Sequence, residues 1–243
     1  MAAKAQKMGA VKAIILHGWT YSSGEGNPLN KWNPFMELLQ TKKIQPILLK
    51  IPGLTKNVDE VWNLEKYVKW LKKEVDKQKG SIILIGHSNG GRIAFSFAKE
   101  YPEKVTKLIL IDSAGIYHNE LPVKIKRFVF KSLAKIGKKF TDSENLRKLI
   151  YKLAREGDYK NATQAQRQTM LNLINTDLSL ILNNVKTPTL IIWGKEDKVT
   201  PLSDGQLIHS LVKNSKLCVI QKARHSPQYT HPKEVVERIY EYI

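Results

Sequence analysis

Cysteine is nearly absent from this sequence of 243 residues, which contains only Cys218. A single cysteine excludes an internal disulfide, a CxxC redox pair and a cysteine-rich zinc site. Long apolar runs are also missing, because no stretch approaches the about 18 consecutive apolar residues that a membrane-spanning helix needs. The apolar run AIIL near the N-terminus is too short for the core of a secretory signal peptide. We therefore expect a protein of the reducing cytoplasm.

Acidic residues are scarce, with 22 Asp and Glu against 40 Lys and Arg, which gives a formal net charge of +18 at pH 7. Such a surplus suits nucleic acid, an anionic membrane surface or an acidic protein partner. The surplus is densest in residues 116–184, which hold 13 basic and 6 acidic residues. The sequence contains neither an internal repeat nor a recognisable nucleic-acid-binding module, so no nucleic-acid partner is expected.

Six short runs rich in Ile, Leu and Val follow one another along the chain. They lack regular alternation of apolar and polar residues, which is typical of strands buried on both faces of a parallel sheet. The runs are VKAIILHG (11–18), IQPILLKIPG (44–53), SIILIGH (81–87), VTKLILIDS (105–113), TPTLIIWG (187–194) and SKLCVIQ (215–221).

Helical patterns separate these runs, with apolar residues mostly at steps of three and four. The patterns cover residues 57–79, 89–101, 201–213 and 232–242. Alternation of strand and helix predicts an α/β fold with a mostly parallel, doubly wound sheet of about six strands. Ligand sites in such sheets lie at the carboxyl ends of the strands.

Residues 116–184 interrupt the alternation, because they contain helical patterns but no strand-like run. We interpret them as an all-helical lid inserted into a core formed by residues 1–115 and 185–243. Within the lid, residues 123–140 place apolar and basic side chains on opposite stripes of one helix. One interpretation is that the apolar face of this basic helix packs over the pocket while its basic face is exposed to solvent. The alternative is that the basic face docks on an acidic carrier protein or an anionic surface.

Ser88 lies between Gly86 and Gly90, where the third apolar run gives way to a helical pattern. A serine hydroxyl is a weak nucleophile, so it needs a nearby base and a sharp turn that exposes its oxygen. Small flanking residues permit such a strand-to-helix elbow. The alternative is a tight turn without chemistry, but the strand before Ser88 and the helix after it favour the nucleophile.

Four motifs in order along nearly the whole chain resemble those of the α/β-hydrolase family. They are HGW after the first strand, GHSNGG at the elbow, WGKEDKVTP after the fifth strand and ARHSPQYTHP after the last. In that family the nucleophile precedes the acid and the acid precedes the histidine. The resemblance implies that Ser88 is the nucleophile, that Asp197 is the orienting acid and that His225 is the general acid/base. It also implies an oxyanion hole made by the backbone amides of Trp19 and Asn89.

Other residues compete for two of these roles. Asp112, in LILIDSAG, is the rival acid because it also ends a strand, whereas Glu196 is expected to point away. Asp197 is favoured because its loop matches the usual acid loop of the family. Among the other histidines, His17 and His87 are expected to pack and hydrogen-bond around the turns. Of the remaining three, His118 opens the lid, His209 lies within a helix and His231 begins one.

The chain departs from the family pattern in three places. Only about ten residues precede Val11, so we expect a sheet trimmed to six strands. The polar loop 19–35 contains two glycines and two prolines, and its route is not predictable. Arg224 precedes His225 where glycine is common, which puts a cation near the base unless the side chain turns outward.

The resemblance implies a carboxylesterase-like serine hydrolase, because family members with one small helical lid are often carboxylesterases, and this chemistry needs no metal or organic cofactor. Its substrate is expected to be a small-molecule acyl ester. The resemblance leaves open a carbon–carbon bond hydrolase of ring-cleavage products and a cofactor-free perhydrolase on the same residues. A further alternative is a non-catalytic receptor or scaffold that keeps the fold.

Overall fold

A single sheet of six parallel strands forms the centre of the protein. The computed structural model describes residues 11–20, 27–55, 58–117 and 162–243. In these residues the strands follow the order β2-β1-β3-β4-β5-β6. They are β1 (Val11–Leu16), β2 (Ile44–Leu49), β3 (Ile82–His87), β4 (Val105–Ile111), β5 (Thr189–Gly194) and β6 (Ser215–Ile220). Each predicted strand is present, and the neighbouring strands pair in parallel.

Helices connect and cover the strands. They are α1 (Asn33–Thr41), α2 (Leu64–Asp76), α3 (Asn89–Glu100), α4 (Gln164–Ile174), α5 (Leu202–Leu211), α6 (Pro227–Thr230) and α7 (Pro232–Tyr240). Short 3-10 helices span Pro28–Trp32, Pro102–Lys104 and Ser179–Asn184. No helix in the described ranges is long and apolar enough to cross a membrane.

Each face of the sheet has its own apolar core. Successive residues of a strand point to opposite faces, so Ile14 contributes to one core and Ile15 to the other. Helices α2, α3 and α5 cover the first face, and α1 and α7 cover the second. Burial on both faces explains why the strand sequences show no alternation of apolar and polar residues.

Two helical segments differ from the sequence-based expectation. Helix α2 begins at Leu64 rather than near residue 57, because the Asn63 side chain caps it by accepting a hydrogen bond from the Lys66 amide at 2.9 Å. The preceding residue, Trp62, donates its amide to Thr169 Oγ1 at 2.8 Å, so a contact with α4 replaces helical bonding there. Helix α1 was not predicted; it follows the 3-10 helix directly and has Pro34 in its first turn.

The predicted lid is described only in part. Helix α4 and the 3-10 helix Ser179–Asn184 belong to it, and α4 buries Gln166 and Thr169 against the core domain. The basic helix predicted at 123–140 lies outside the described residues. The division into core and lid therefore stays a prediction.

Several polar residues lie together at the carboxyl ends of the central strands. The chain runs from β1 outward to β2 and returns to β3 on the other side of β1, so the strand order reverses between β1 and β3. Such a switch point opens a crevice beyond the strand ends. Gly18 follows β1 and Ser88 follows β3 at this crevice.

Candidate active site

Ser88 occupies a sharp elbow between β3 and α3. Its backbone has φ 52° and ψ −121°, a left-handed region that is strained for a residue with a Cβ. Neighbouring backbone holds this conformation, because the Ser88 carbonyl accepts hydrogen bonds from Gly91 at 2.9 Å and Ala114 at 3.0 Å. The Ser88 amide donates to Ile111 O at 3.2 Å. The elbow is therefore tied to the end of β4 as well as to α3.

Glycines allow the elbow to pack closely against its neighbours. A Cβ on Gly86 would lie 2.6 Å from Gly91 Cα, and a Cβ on Gly90 would lie 2.6 Å from His17 O and collide with Leu16 O. Both obstacles are main-chain atoms, which cannot rotate away. The glycines of the GHSNGG motif therefore allow β3, α3 and the end of β1 to pack closely together.

His225 approaches Ser88 from the loop after β6. Its Nε2 lies 3.1 Å from Ser88 Oγ, within hydrogen-bond reach across 137 residues of sequence. The Arg224 side chain is exposed, so the neighbouring cation turns outward. The distance satisfies the geometric requirement for a base that takes a proton from the hydroxyl.

Asp197 lies behind His225, with its Oδ2 2.8 Å from His225 Nδ1. Its Oδ1 accepts hydrogen bonds from the amides of Val199 at 2.7 Å and Thr200 at 3.1 Å. Burial acts to raise the pKa of Asp197, but the hydrogen bonds from His225, Thr200 and Val199 outweigh it, and the pKa lies below its ordinary value. The ionised carboxylate favours the tautomer that leaves His225 Nε2 free to accept a proton.

Thr200 joins this chain of side chains, although the sequence analysis missed it. Its Oγ1 donates to Asp197 Oδ2 at 2.7 Å and lies 3.2 Å from both His225 Nδ1 and Asp112 O. Trp193 Nε1 donates to Thr200 O at 3.0 Å and so fixes the residue from the core side. The only available signal was its place in the acid loop, three residues after Asp197.

Asp112, the rival acid, is fully buried and has a different environment. Its Oδ1 accepts the Gly194 amide at 2.8 Å, whereas its Oδ2 is buried without a hydrogen-bond partner. Burial raises the pKa of Asp112 to about 8, so its carboxyl is mainly protonated at neutral pH. Although Asp112 and His225 both lie in the described part of the chain, no hydrogen bond joins their side chains. The geometry therefore favours Asp197 as the partner of His225.

The competing histidines in the described ranges lie where the sequence analysis placed them. His17 is buried, accepts the Ile51 amide at 3.1 Å through Nε2 and donates through Nδ1 to Gly18 O at 2.6 Å. Burial lowers the pKa of His17 to about 4. His87 is also buried, His209 is exposed on α5, and His231 occupies the N-cap position of α7 without a capping hydrogen bond from its side chain. His118 lies outside the described residues.

The two expected oxyanion donors border the elbow. A Cβ on Gly18 would lie 2.9 Å from Ser88 Cβ, so the chain that continues into Trp19 passes directly beside the hydroxyl. Asn89 is the first residue of α3, and first-turn amides have no acceptor within their own helix. The positive end of the helix dipole lies at the same place.

Three potential metal ligands lie close together here. His87, Asp112 and His225 each offer one ligand atom, and the three atoms lie within 4.8 Å of one another. The imidazole nitrogens of His225 already face Ser88 and Asp197, and His87 Nε2 faces a main-chain carbonyl. Hydrogen bonding therefore accounts for the histidine nitrogens of the cluster, and we assign no metal to it.

Comparison with known proteins identifies a family. Residues 52–229, which include Ser88, Asp197 and His225, match the family model described as serine aminopeptidase, S33. A solved α/β-hydrolase enzyme from a lagoon-sediment metagenome superposes with a TM-score of 0.67 at 24% identity, covering 96% of this chain and 90% of the other. That structural likeness shows the fold.

Two curated relatives cover most of the sequence. A 2-hydroxy-6-oxononadienedioate/2-hydroxy-6-oxononatrienedioate hydrolase of Pseudomonas putida is 27% identical over 246 residues, 92% of this chain and 84% of that protein. A pimeloyl-[acyl-carrier protein] methyl ester esterase of Wigglesworthia glossinidia brevipalpis is 25% identical over 247 residues, 92% of this chain and 90% of that protein. The first is named for the hydrolysis of a 2-hydroxy-6-oxo dioate and the second for the hydrolysis of a methyl ester.

Proposed function

Since the chain belongs to the serine aminopeptidase S33 family of α/β-hydrolases and is a hydrolase, we propose that it cleaves carboxylic esters through an acyl-enzyme on Ser88. His225 is the general acid/base and Asp197 orients it. The observation that carries the proposal is the chain of two hydrogen bonds, 3.1 Å from Ser88 Oγ to His225 Nε2 and 2.8 Å from His225 Nδ1 to Asp197.

The proposed reaction proceeds in two halves. Ser88 Oγ attacks the ester carbonyl carbon while its proton passes to His225 Nε2, and the amides of Trp19 and Asn89 bind the developing oxyanion. The tetrahedral intermediate collapses when the carbon–oxygen bond to the alcohol breaks and His225 returns the proton to that alcohol. Water then attacks the acyl-enzyme with His225 as base and releases the acid and free Ser88.

A carbon–carbon bond hydrolase is the second candidate function. The Pseudomonas putida relative is named for a 2-hydroxy-6-oxo acid, and the same serine and histidine could act on a ketone carbonyl of such a substrate. We favour the ester because the nucleophile, base, acid and oxyanion amides suffice for it, whereas carbon–carbon cleavage also requires a proton to be delivered to the leaving carbon.

A panel of substrates tests the proposal. Methyl and nitrophenyl esters of increasing acyl length are compared by kcat/KM with a 2-hydroxy-6-oxo-dienoate. We expect at least one ester to exceed the dienoate, and Ser88→Ala to lose activity by a factor on the order of 10⁴ or more. The matched control is Ser203→Ala, which replaces an exposed serine on α5 and should leave kcat/KM at the wild-type value. Turnover of the dienoate with inert esters would assign the second function instead.

We further propose an acidic partner for the basic segment 116–184. The support is its surplus of basic residues and the name of the Wigglesworthia relative, whose substrate is attached to an acyl-carrier protein. The substrate panel therefore includes one methyl ester on an acidic carrier. Electrostatic recruitment predicts that salt lowers kcat/KM for this substrate far more than for a small ester, and equal salt effects would remove the partner.

A further inference from the structure

His87 is the last residue of β3 and directly precedes the elbow serine. The residue is only 6% exposed. The ring packs near those of Trp32, Tyr229 and His225, with centroid separations of 6.1, 6.3 and 5.0 Å. These ring contacts explain how His87 packs, but they do not involve hydrogen bonds of its two ring nitrogens.

The His87 ring makes one short hydrogen bond to the loop after β6. Its Nε2 lies 2.7 Å from the main-chain oxygen of His225. A carbonyl oxygen can only accept, so Nε2 carries the proton. Burial and the nearby His225 lower the pKa of His87 to about 3, so the ring is neutral above that pH and keeps this donor.

Two consecutive residues therefore hold His225 at two points. Ser88 Oγ faces the ring at 3.1 Å, and His87 holds the carbonyl of the same residue. The His225 loop lies 138 residues further along the chain, so local sequence does not set its distance from the elbow. We propose that His87 is a positioning residue that fixes the separation of Ser88 and His225 required for proton transfer.

This role predicts a specific kinetic signature and rests on the hydrolase function proposed above. Without the His87 donor, the His225 backbone loses a fixed contact and the imidazole samples positions away from Ser88. A misplacement of about 1 Å in a reacting group can cost on the order of 10²-fold in rate. Because His87 is buried and contacts the main chain of His225, substrate binding should change little, and the loss should fall on kcat rather than on KM.

The experiment compares His87→Leu, which lacks a donor, with His87→Gln, which keeps an N–H donor on a flexible side chain. The matched controls are His209→Leu and His209→Gln at an exposed helix position. For each variant, kcat, KM, the rate of fluorophosphonate labelling and the thermal denaturation midpoint are measured. If His87→Leu does not fold, His87→Met replaces it, because its thioether also lacks a donor.

We expect the apolar variant to lose about 10- to 100-fold in kcat and in labelling rate with KM within about twofold, and His87→Gln to recover most of the loss. The positioning role is overturned if the folded apolar variant matches the wild type, if Gln and the apolar residue are equally impaired, or if the loss lies in KM. If no apolar variant folds, His87→Gln provides the test. A kcat of His87→Gln near that of the wild type supports the role. A folded His87→Gln protein whose kcat is lower by more than about tenfold contradicts it. A wild type inert towards both esters and fluorophosphonate contradicts the proposed function itself.

Discussion

Asp197 and Asp112 lie after neighbouring strands, yet their surroundings move their pKa values in opposite directions. Hydrogen bonds from His225, Thr200 and a backbone amide overcome burial at Asp197 and hold its pKa below the ordinary value. Asp112 has the Gly194 amide on one oxygen and no partner on the other, so burial raises its pKa to about 8. One of the two carboxyl groups is therefore charged at neutral pH and the other is mainly neutral, which avoids two adjacent buried charges.

The raised pKa of Asp112 predicts how stability depends on pH. Between the unfolded value near 4 and the folded value of about 8, the native protein holds a proton that the unfolded chain has released. The Asp112 contribution to stability is therefore fully present below pH 4 and is lost as pH rises towards 8, at up to about 1.4 kcal/mol per pH unit. Asp112→Asn removes this dependence.

Urea denaturation of wild type and Asp112→Asn between pH 5 and pH 9 measures the effect. The free energy of unfolding of the variant, relative to wild type, should rise with pH up to about 8 and then level off. Asp59→Asn, an exposed aspartate, is the matched control. A difference that stays constant over the whole pH range would show that Asp112 is ionised in the folded protein.

The β3–α3 elbow is the element on which the geometry of the site depends. It holds Ser88 in a left-handed conformation and brings α3 against the end of β1. Hydrogen bonds from Gly91 and Ala114 to the Ser88 carbonyl stabilise the turn. Strain of this kind persists only where surrounding structure enforces it, and it exposes the serine oxygen at the crevice.

Gly90→Ala tests the close packing of the elbow. The new methyl group meets the Leu16 and His17 carbonyls, so β1 and α3 must separate. We expect a loss of about 1–3 kcal/mol or more in the free energy of unfolding, together with slower fluorophosphonate labelling. Gly80→Ala, where no atom lies within 4 Å of the added Cβ, is the control and should leave labelling unchanged despite its positive φ. Equal labelling by both variants would contradict the role given to Gly90.

The elements also show where local sequence was sufficient. Strands were predictable because a buried parallel strand leaves a short run of Ile, Leu and Val. The start of α2 was not, because residues before Leu64 retain helical periodicity while Trp62 bonds to Thr169, more than 100 positions away. Helix α1 was missed because its NP start and surrounding polar residues resemble a loop, and burial of Phe35 and Leu39 against the sheet decides its structure.

For the molecule as a whole, the order of the motifs along the chain carried most of the information. It predicted the α/β-hydrolase fold correctly and pointed to Ser88, Asp197 and His225, which the sheet brings to one edge. Contacts of Thr200 and the carbonyl contact of His87 could not be predicted, because they join distant segments and no motif records them.

Surface charge is also partly compensated at the scale of the whole molecule. Several lysines of α2 form ion pairs with nearby acids, among them Lys69 with Glu65 and Lys72 with Asp76. Such exposed pairs contribute little to stability. The positive surplus per residue is highest in residues 116–184, which makes this segment rather than α2 the proposed site of an acidic partner.

The rate at which a fluorophosphonate adds covalently to the protein, followed by intact mass, tests the central claim most directly. We predict one adduct on the wild type and none on Ser88→Ala. Asp197→Asn should react slower by on the order of 10²-fold or more, and Asp112→Asn should react within about threefold of wild type. An inert but folded wild type, or labelling that survives in Ser88→Ala, would contradict the account.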